Sequence, residues 1–164
     1  MSQIVRCVFL PIAMLEQCVE VAQAPTQKRL FRPPVYPLMD FLHRAGTPGA
    51  ELPDWSGYVV SVLLAYLEEI RQIDLLSGGE FAIAAQAITD ATKTFHTVLT
   101  PSQRRFVAEL TPERFDIQEL QAYYEEFSDD EFPEAGTAMC AAMGFLAENL
   151  RRLPDAHVGL LSIR

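Results

Sequence analysis

Histidine supplies most acid–base chemistry near neutral pH, and the chain has three: His43, His96 and His157. None stands in an HxH, HExxH or HxxxH pair, so a metal site would need ligands gathered from distant segments, and no metal or other cofactor is expected. His96 follows Phe95 in a helical pattern, where a protonated ring would suit the C-terminal end of a helix dipole. His157 begins an apolar run and is expected at a strand edge. His43 lies beside Asp40 in a proline-rich segment, the one histidine placed where a ligand could reach it. A structural hydrogen bond is the competing role.

Nucleophile and phosphate signals are missing. No GxSxG elbow occurs, and the serines stand in cap, helix or strand contexts without a nearby base, so no catalytic residue is expected. Gly78-Gly79 is followed by Glu80, which would repel an anion, and no GxGxxG or Walker-type spacing exists. Cys7, Cys18 and Cys140 are odd in number, far apart and set among apolar residues. They read as buried small hydrophobes in a reducing cytoplasm.

Charge is the strongest feature. Residues 109–134 hold ten carboxylates and one arginine, so this window carries the −9 of the entire 164-residue chain. The densest part, Glu125-Glu126-Phe127-Ser128-Asp129-Asp130-Glu131, lacks the DxDxDG alternation of a calcium loop. It is either a solvated face or a patch that steers a basic protein partner. In the second case Tyr123, Tyr124, Phe127 and Phe132 are its aromatic anchors. The opposite pole is Lys28, Arg29, Arg32 and Arg44, interleaved with Phe31, Tyr36 and Phe41. It could contact an anionic ligand or pair with the acidic face. An excess of acid repels phosphate, which argues against a nucleic-acid partner.

The elements that must position these residues follow from periodicity. The 49% apolar content supports a core without metal or disulfide staples. Ile4–Leu10 reads as a strand, and Ile12, Leu15, Val19 and Ala22 continue it into a helix. Six of the eleven prolines fall between 24 and 54, which predicts a long irregular excursion with one short helix around Leu38–Arg44. Trp55–Ile73 is apolar almost all round at first and predicts a central buried helix. Ser77 and Glu80 have capping-box spacing, leading a helix over Phe81–Val98. Thr100-Pro101 and Thr111-Pro112 open two short helices whose inner faces include Phe106, Leu110, Phe115, Ile117, Leu120 and Tyr124. Pro133–Leu153 predicts the last helix and His157–Ile163 a closing strand. No stretch approaches the length of a membrane span, and Arg6 interrupts any leader pattern, so a soluble chain without a membrane partner is expected.

The expected fold is a single α+β domain over residues 1–164. It is mostly helical, with five to seven helices and a small sheet pairing the N- and C-terminal strands.

Several of these segments carry a family resemblance. Phe41-Leu42-His43 precedes a turn containing Gly46. Later come Thr111-Pro-Glu-Arg-Phe115, Ile117, Glu119-Leu120 and Tyr123-Tyr124, then an acidic turn, a helix ending Asn149-Leu-Arg-Arg152 and a terminal apolar strand. The chain is similar here to the YfbM-like family of uncharacterised small bacterial proteins, best over residues 100–163. Met39-Asp40 and Arg44-Ala-Gly46 flank the Leu-His pair where the family has a tryptophan and Leu-Leu-Thr-Gly. The resemblance implies an α+β fold and a bacterial cytosolic setting, and it supplies no catalytic residues.

The leading functional expectation is a non-enzymatic protein-binding module, such as an immunity or antitoxin-like inhibitor of a basic toxin. It would dock through Tyr123, Tyr124, Glu125, Glu126, Asp129, Asp130 and Glu131. The alternative is a small-molecule-binding protein or enzyme whose pocket, between residues 28–44 and the central helix, gathers Tyr36, Asp40, His43 and Arg44. A homodimer is a third possibility, because the composition is apolar for so acidic a chain.

Overall fold

The computed structural model describes residues 4–26, 36–52, 57–129 and 131–164. Its centre is an antiparallel sheet of four strands in the order β2-β1-β4-β3, with β1 at Val5–Pro11, β2 at Thr47–Pro48, β3 at Phe95–Leu99 and β4 at His157–Ile163. β1 and β4 pair along their full length, from Val5 opposite Ile163 to Pro11 opposite His157. Beyond that register Ile4 and Arg164 exchange two more backbone hydrogen bonds, at 2.7 and 3.0 Å. The expected pairing of the terminal strands is therefore present. Every β4 residue after His157 is buried, which is why the strand reads as an unbroken apolar run rather than an alternating one.

Among the described residues six α-helices cover both faces: α1 (Leu15–Gln23), α2 (Pro37–Ala45), α3 (Gly57–Glu69), α4 (Ala82–Thr92), α5 (Ile117–Phe127) and α6 (Ala135–Arg152). One face of the sheet (Cys7, Phe9, Leu99, Leu161) packs on α3 and α6, with α5 outside them. The other (Leu10, Val98, Val158, Leu160) packs on α1, α2 and α4. α3 and α6 carry the deepest side chains: Leu63, Leu64, Leu67, Met139, Met143 and Leu146 are fully buried. Each such side chain contributes roughly 1.5–3 kcal/mol relative to exposure. Where α5 meets α6, a Cβ on Gly136 would lie 2.3 Å from the Ile117 carbonyl oxygen, so only glycine permits that approach.

The structure corrects four local expectations. The helix read as Phe81–Val98 ends at Thr92, and Phe95–Leu99 is β3. The break falls at Lys93, in the left-handed region at φ 56°, without the glycine or asparagine that usually announces such a stop. Ser77 and Glu80 form no capping box. Instead Asp74 Oδ1 accepts from the Leu76 and Ser77 amides at 3.0 and 2.9 Å, and the Ser77 hydroxyl donates to Asp74 Oδ2. Gly78 and Gly79 both have positive φ and turn the chain out of the entry that a capping box requires. Pro101–Phe106 is a 3-10 turn rather than an α-helix, and the helix opened by Thr111-Pro112 is split into a 3-10 turn at Pro112–Arg114 and α5, which carries the expected Leu120 and Tyr124 inward. Ile117, expected on an inner face, is 50% exposed.

Candidate functional site

α5 begins at Asp116, whose side chain caps it by accepting from the Gln118 amide at 2.8 Å. Leu120 and Tyr124 turn inward at i, i+4 spacing, which leaves the carboxylates of the helix outside. The rest of the acidic window behaves alike. Glu109, Glu113, Asp116, Glu119, Glu125, Glu126, Asp129, Glu131 and Glu134 are all exposed; Asp130 lies outside the described residues. None of these nine pairs with a described cation, since the ion pairs found are Arg104–Asp155 and Arg151–Glu148. Arg114, the one cation within the window, donates to the Ala108 carbonyl at 3.2 Å.

Two tyrosines fasten this face to α3. The Tyr66 hydroxyl donates to Glu119 Oε1 at 2.6 Å, and burial together with that carboxylate pushes the phenol up to about 12. The Tyr123 hydroxyl donates to Glu69 Oε2 at 2.8 Å and is raised in the same way, by burial first and then by Glu69. The two rings meet edge to face at 5.1 Å, and Tyr123 stacks on Phe127 at 5.9 Å. The Arg71 guanidinium sits 4.3 Å over the Phe115 ring beside them. Tyr124, expected as an anchor, is instead a core residue. It is 3% exposed, with its ring edge-on to Tyr58 and Phe132, because its position in α5 faces α6 and α3. The exposed aromatic of this face is Phe127, at 49%.

The alternative pocket is not assembled as expected. α2 packs on α1 and β1 rather than on α3, and it turns Leu38, Phe41 and Leu42 inward. Tyr36, Asp40, His43 and Arg44 therefore point to different places. Tyr36 lines a groove with Leu38, Tyr58 and Phe95. His43 lines a separate cavity of about 360 Å³ with Arg6, Met39, Leu42 and Arg164. Asp40 and Arg44 line neither, and Arg44 Nε donates to the Asp40 carbonyl at 3.2 Å. Lys28, Arg29, Phe31 and Arg32 lie outside the described residues.

No model of a protein family, curated protein or solved structure matches the chain.

The remaining candidates are structural. Burial pushes the Cys7 and Cys18 thiols up to about 12 and also raises Cys140, so none is activated. His96 stands on β3, with its ring beside the C-terminal end of α4, Nδ1 lying 3.4 Å from the Thr92 hydroxyl. It is 3% exposed, and burial lowers its pKa, so the ring is held neutral, contrary to the expected charged cap. Its Nδ1 lies 2.7 Å from the Thr94 carbonyl oxygen, while its buried Nε2 has no partner among the described residues. No group of three metal-ligating side chains occurs among the described residues, and no described helix is long and apolar enough to cross a membrane.

Two arrangements went unread in the sequence. Asn149 is fully buried and takes the Ala50 amide on Oδ1 at 2.9 Å, which pins the chain after β2 to α6. Arg6, Ser162 and Arg164 share one end of a sheet face. Strand alternation around Arg6, the one charged residue of Ile4–Leu10, was the available signal for the second.

Proposed function

We propose that this protein is a binding module that docks a basic protein through the acidic face of α5 and the turns on either side of it. The observation that carries this reading is the set of nine described carboxylates between 109 and 134, all exposed and none in an ion pair with a described cation. A merely solvated face would tolerate such charge, but here two side chains also order it. Tyr66 of α3 holds Glu119 of the set, and Glu69 of α3 holds Tyr123, so part of the side-chain entropy lost on docking is already lost in the free protein. Phe127 adds an exposed apolar ring among the charges, the kind of anchor that interfaces concentrate. An inhibitor that covers a cationic surface, in the manner of an immunity protein, is the form this proposal takes.

The test is kinetic. A partner captured at low ionic strength on the immobilised protein is purified, and its association rate is followed against salt. Neutralising Asp129→Asn, Asp130→Asn and Glu131→Gln together is expected to slow association about tenfold at low salt and to flatten its salt dependence. A partner whose association ignores both salt and these substitutions overturns the reading.

A further inference from the structure

Among the described residues, β1 has a neighbour on its outer side for only part of its length. β2 pairs with Val8 and Phe9, and the Gly49 amide still reaches the Cys7 carbonyl at 2.9 Å. The chain then leaves, because the Ala50 amide turns to Asn149 Oδ1. In an antiparallel ladder alternate residues turn their main-chain groups to the same neighbour. Ile4 and Arg164 exchange both of their bonds, so Ile4 and Arg6 face β4 while Val5 and Cys7 face outward. Among the described residues, no backbone group pairs with the Val5 amide or carbonyl.

The strand position that the described residues leave unfilled opens on the cavity of about 360 Å³, within the range of ligand sites. Met39, Leu42 and His43 of α2 form one wall, and residues 49–51 form the other. Arg6 lies opposite Ser162 and Ile4 opposite Arg164, which places both arginines on one face as diagonal neighbours. Neither side chain is ion-paired with a described carboxylate, and Glu51 is the one acidic side chain of the described lining. A cationic recess in a chain of net charge −9 selects an occupant of the opposite sign.

We propose that this recess is a strand-addition site for an extended acidic peptide. The peptide main chain pairs with the outward groups of Val5. Its carboxylates meet Arg6 and Arg164, and an apolar side chain rests on Met39 and Leu42. The outward donor and acceptor on Val5 favour a peptide over a small free acid, which would use the arginines and leave the strand edge unpaired. This site is independent of the acidic face.

The probe is a labelled pentapeptide, Glu-Thr-Val-Thr-Glu, whose glutamate and valine side chains fall on one side of the extended chain, with binding followed by fluorescence polarisation and by amide shifts of the whole protein. Binding is expected, with shifts concentrated at residues 4–8, 39–43 and 49–51. Two versions N-methylated on opposite alternate amides should differ, one losing binding and the other keeping it. Arg6→Glu, at an exposed position, is expected to weaken binding about tenfold. The proposal is overturned by no binding at millimolar peptide, by equal binding of both methylated versions, or by an Arg6→Glu protein that binds as before. Displacement of the peptide by an equal concentration of glutarate also overturns it, in favour of a small acid.

Discussion

The Tyr123 hydroxyl and the Glu69 carboxylate, 2.8 Å apart, join the middle of α5 to the last turn of α3. Fifty-four residues separate them in sequence, so this bond and the Tyr66–Glu119 bond close the α3–α5 seam from both directions.

That seam sets a pair of mutational expectations. Tyr123→Phe removes a partly exposed hydrogen bond to a carboxylate and should cost about 0.5–1.5 kcal/mol. Tyr66→Phe removes the bond of a phenol that is 1% exposed and should cost about 1.5–3 kcal/mol, because water competes less for this bond to a charged acceptor than for the exposed Tyr123–Glu69 bond. Urea midpoints at unchanged m-value measure both; equal midpoints for either variant and the parent would contradict the role given to that bond.

His96 predicts a pH dependence. Its folded pKa is lowered, chiefly by burial and further by Arg164, so the unfolded chain takes up the proton first. Its contribution to stability is full above the ordinary histidine value of about 6.5 and is lost as pH falls below that value toward the folded pKa. Unfolding free energies measured from pH 7 down to 5 should decline more steeply for the parent than for His96→Gln. Parallel curves would show that the ring titrates freely in the fold.

Two glycines of α6 should respond in opposite directions to alanine. At Gly136 the new Cβ meets the Ile117 backbone at 2.3 Å, so α5 must shift, and a loss of about 1–3 kcal/mol is expected despite better helix propensity. At Gly144 nothing lies within 4 Å, and alanine should stabilise by up to about 1 kcal/mol. Thermal melts of the two variants should move apart, and a Gly136→Ala protein as stable as the parent would show that the helices can separate at no cost.

Much of the architecture was legible from periodicity. β1, α1, α2, α3, α6 and β4 lie close to where apolar spacing and proline positions put them, because each buries a stripe or a run that the sequence displays directly. β3 was not legible. Phe95–Leu99 follows a helical pattern without a glycine or proline break, and the turn is made by Lys93 in a left-handed conformation that local propensity disfavours. Pairing with β4 supplies what the local signal lacked.

The candidate site divides along the same line. Carboxylate density and a central apolar helix are properties of local composition, so residue types and spacing alone determined them. The tertiary structure decided which aromatic of the Tyr123-Tyr124 pair faces inward, whether Tyr36 and His43 share a cavity, and that Arg6 and Arg164 stand together over an open strand edge. Each of those depends on which face a helix buries or on the register between strands distant in sequence. Such choices are made by packing across the whole chain, and no window of neighbouring residues contains them.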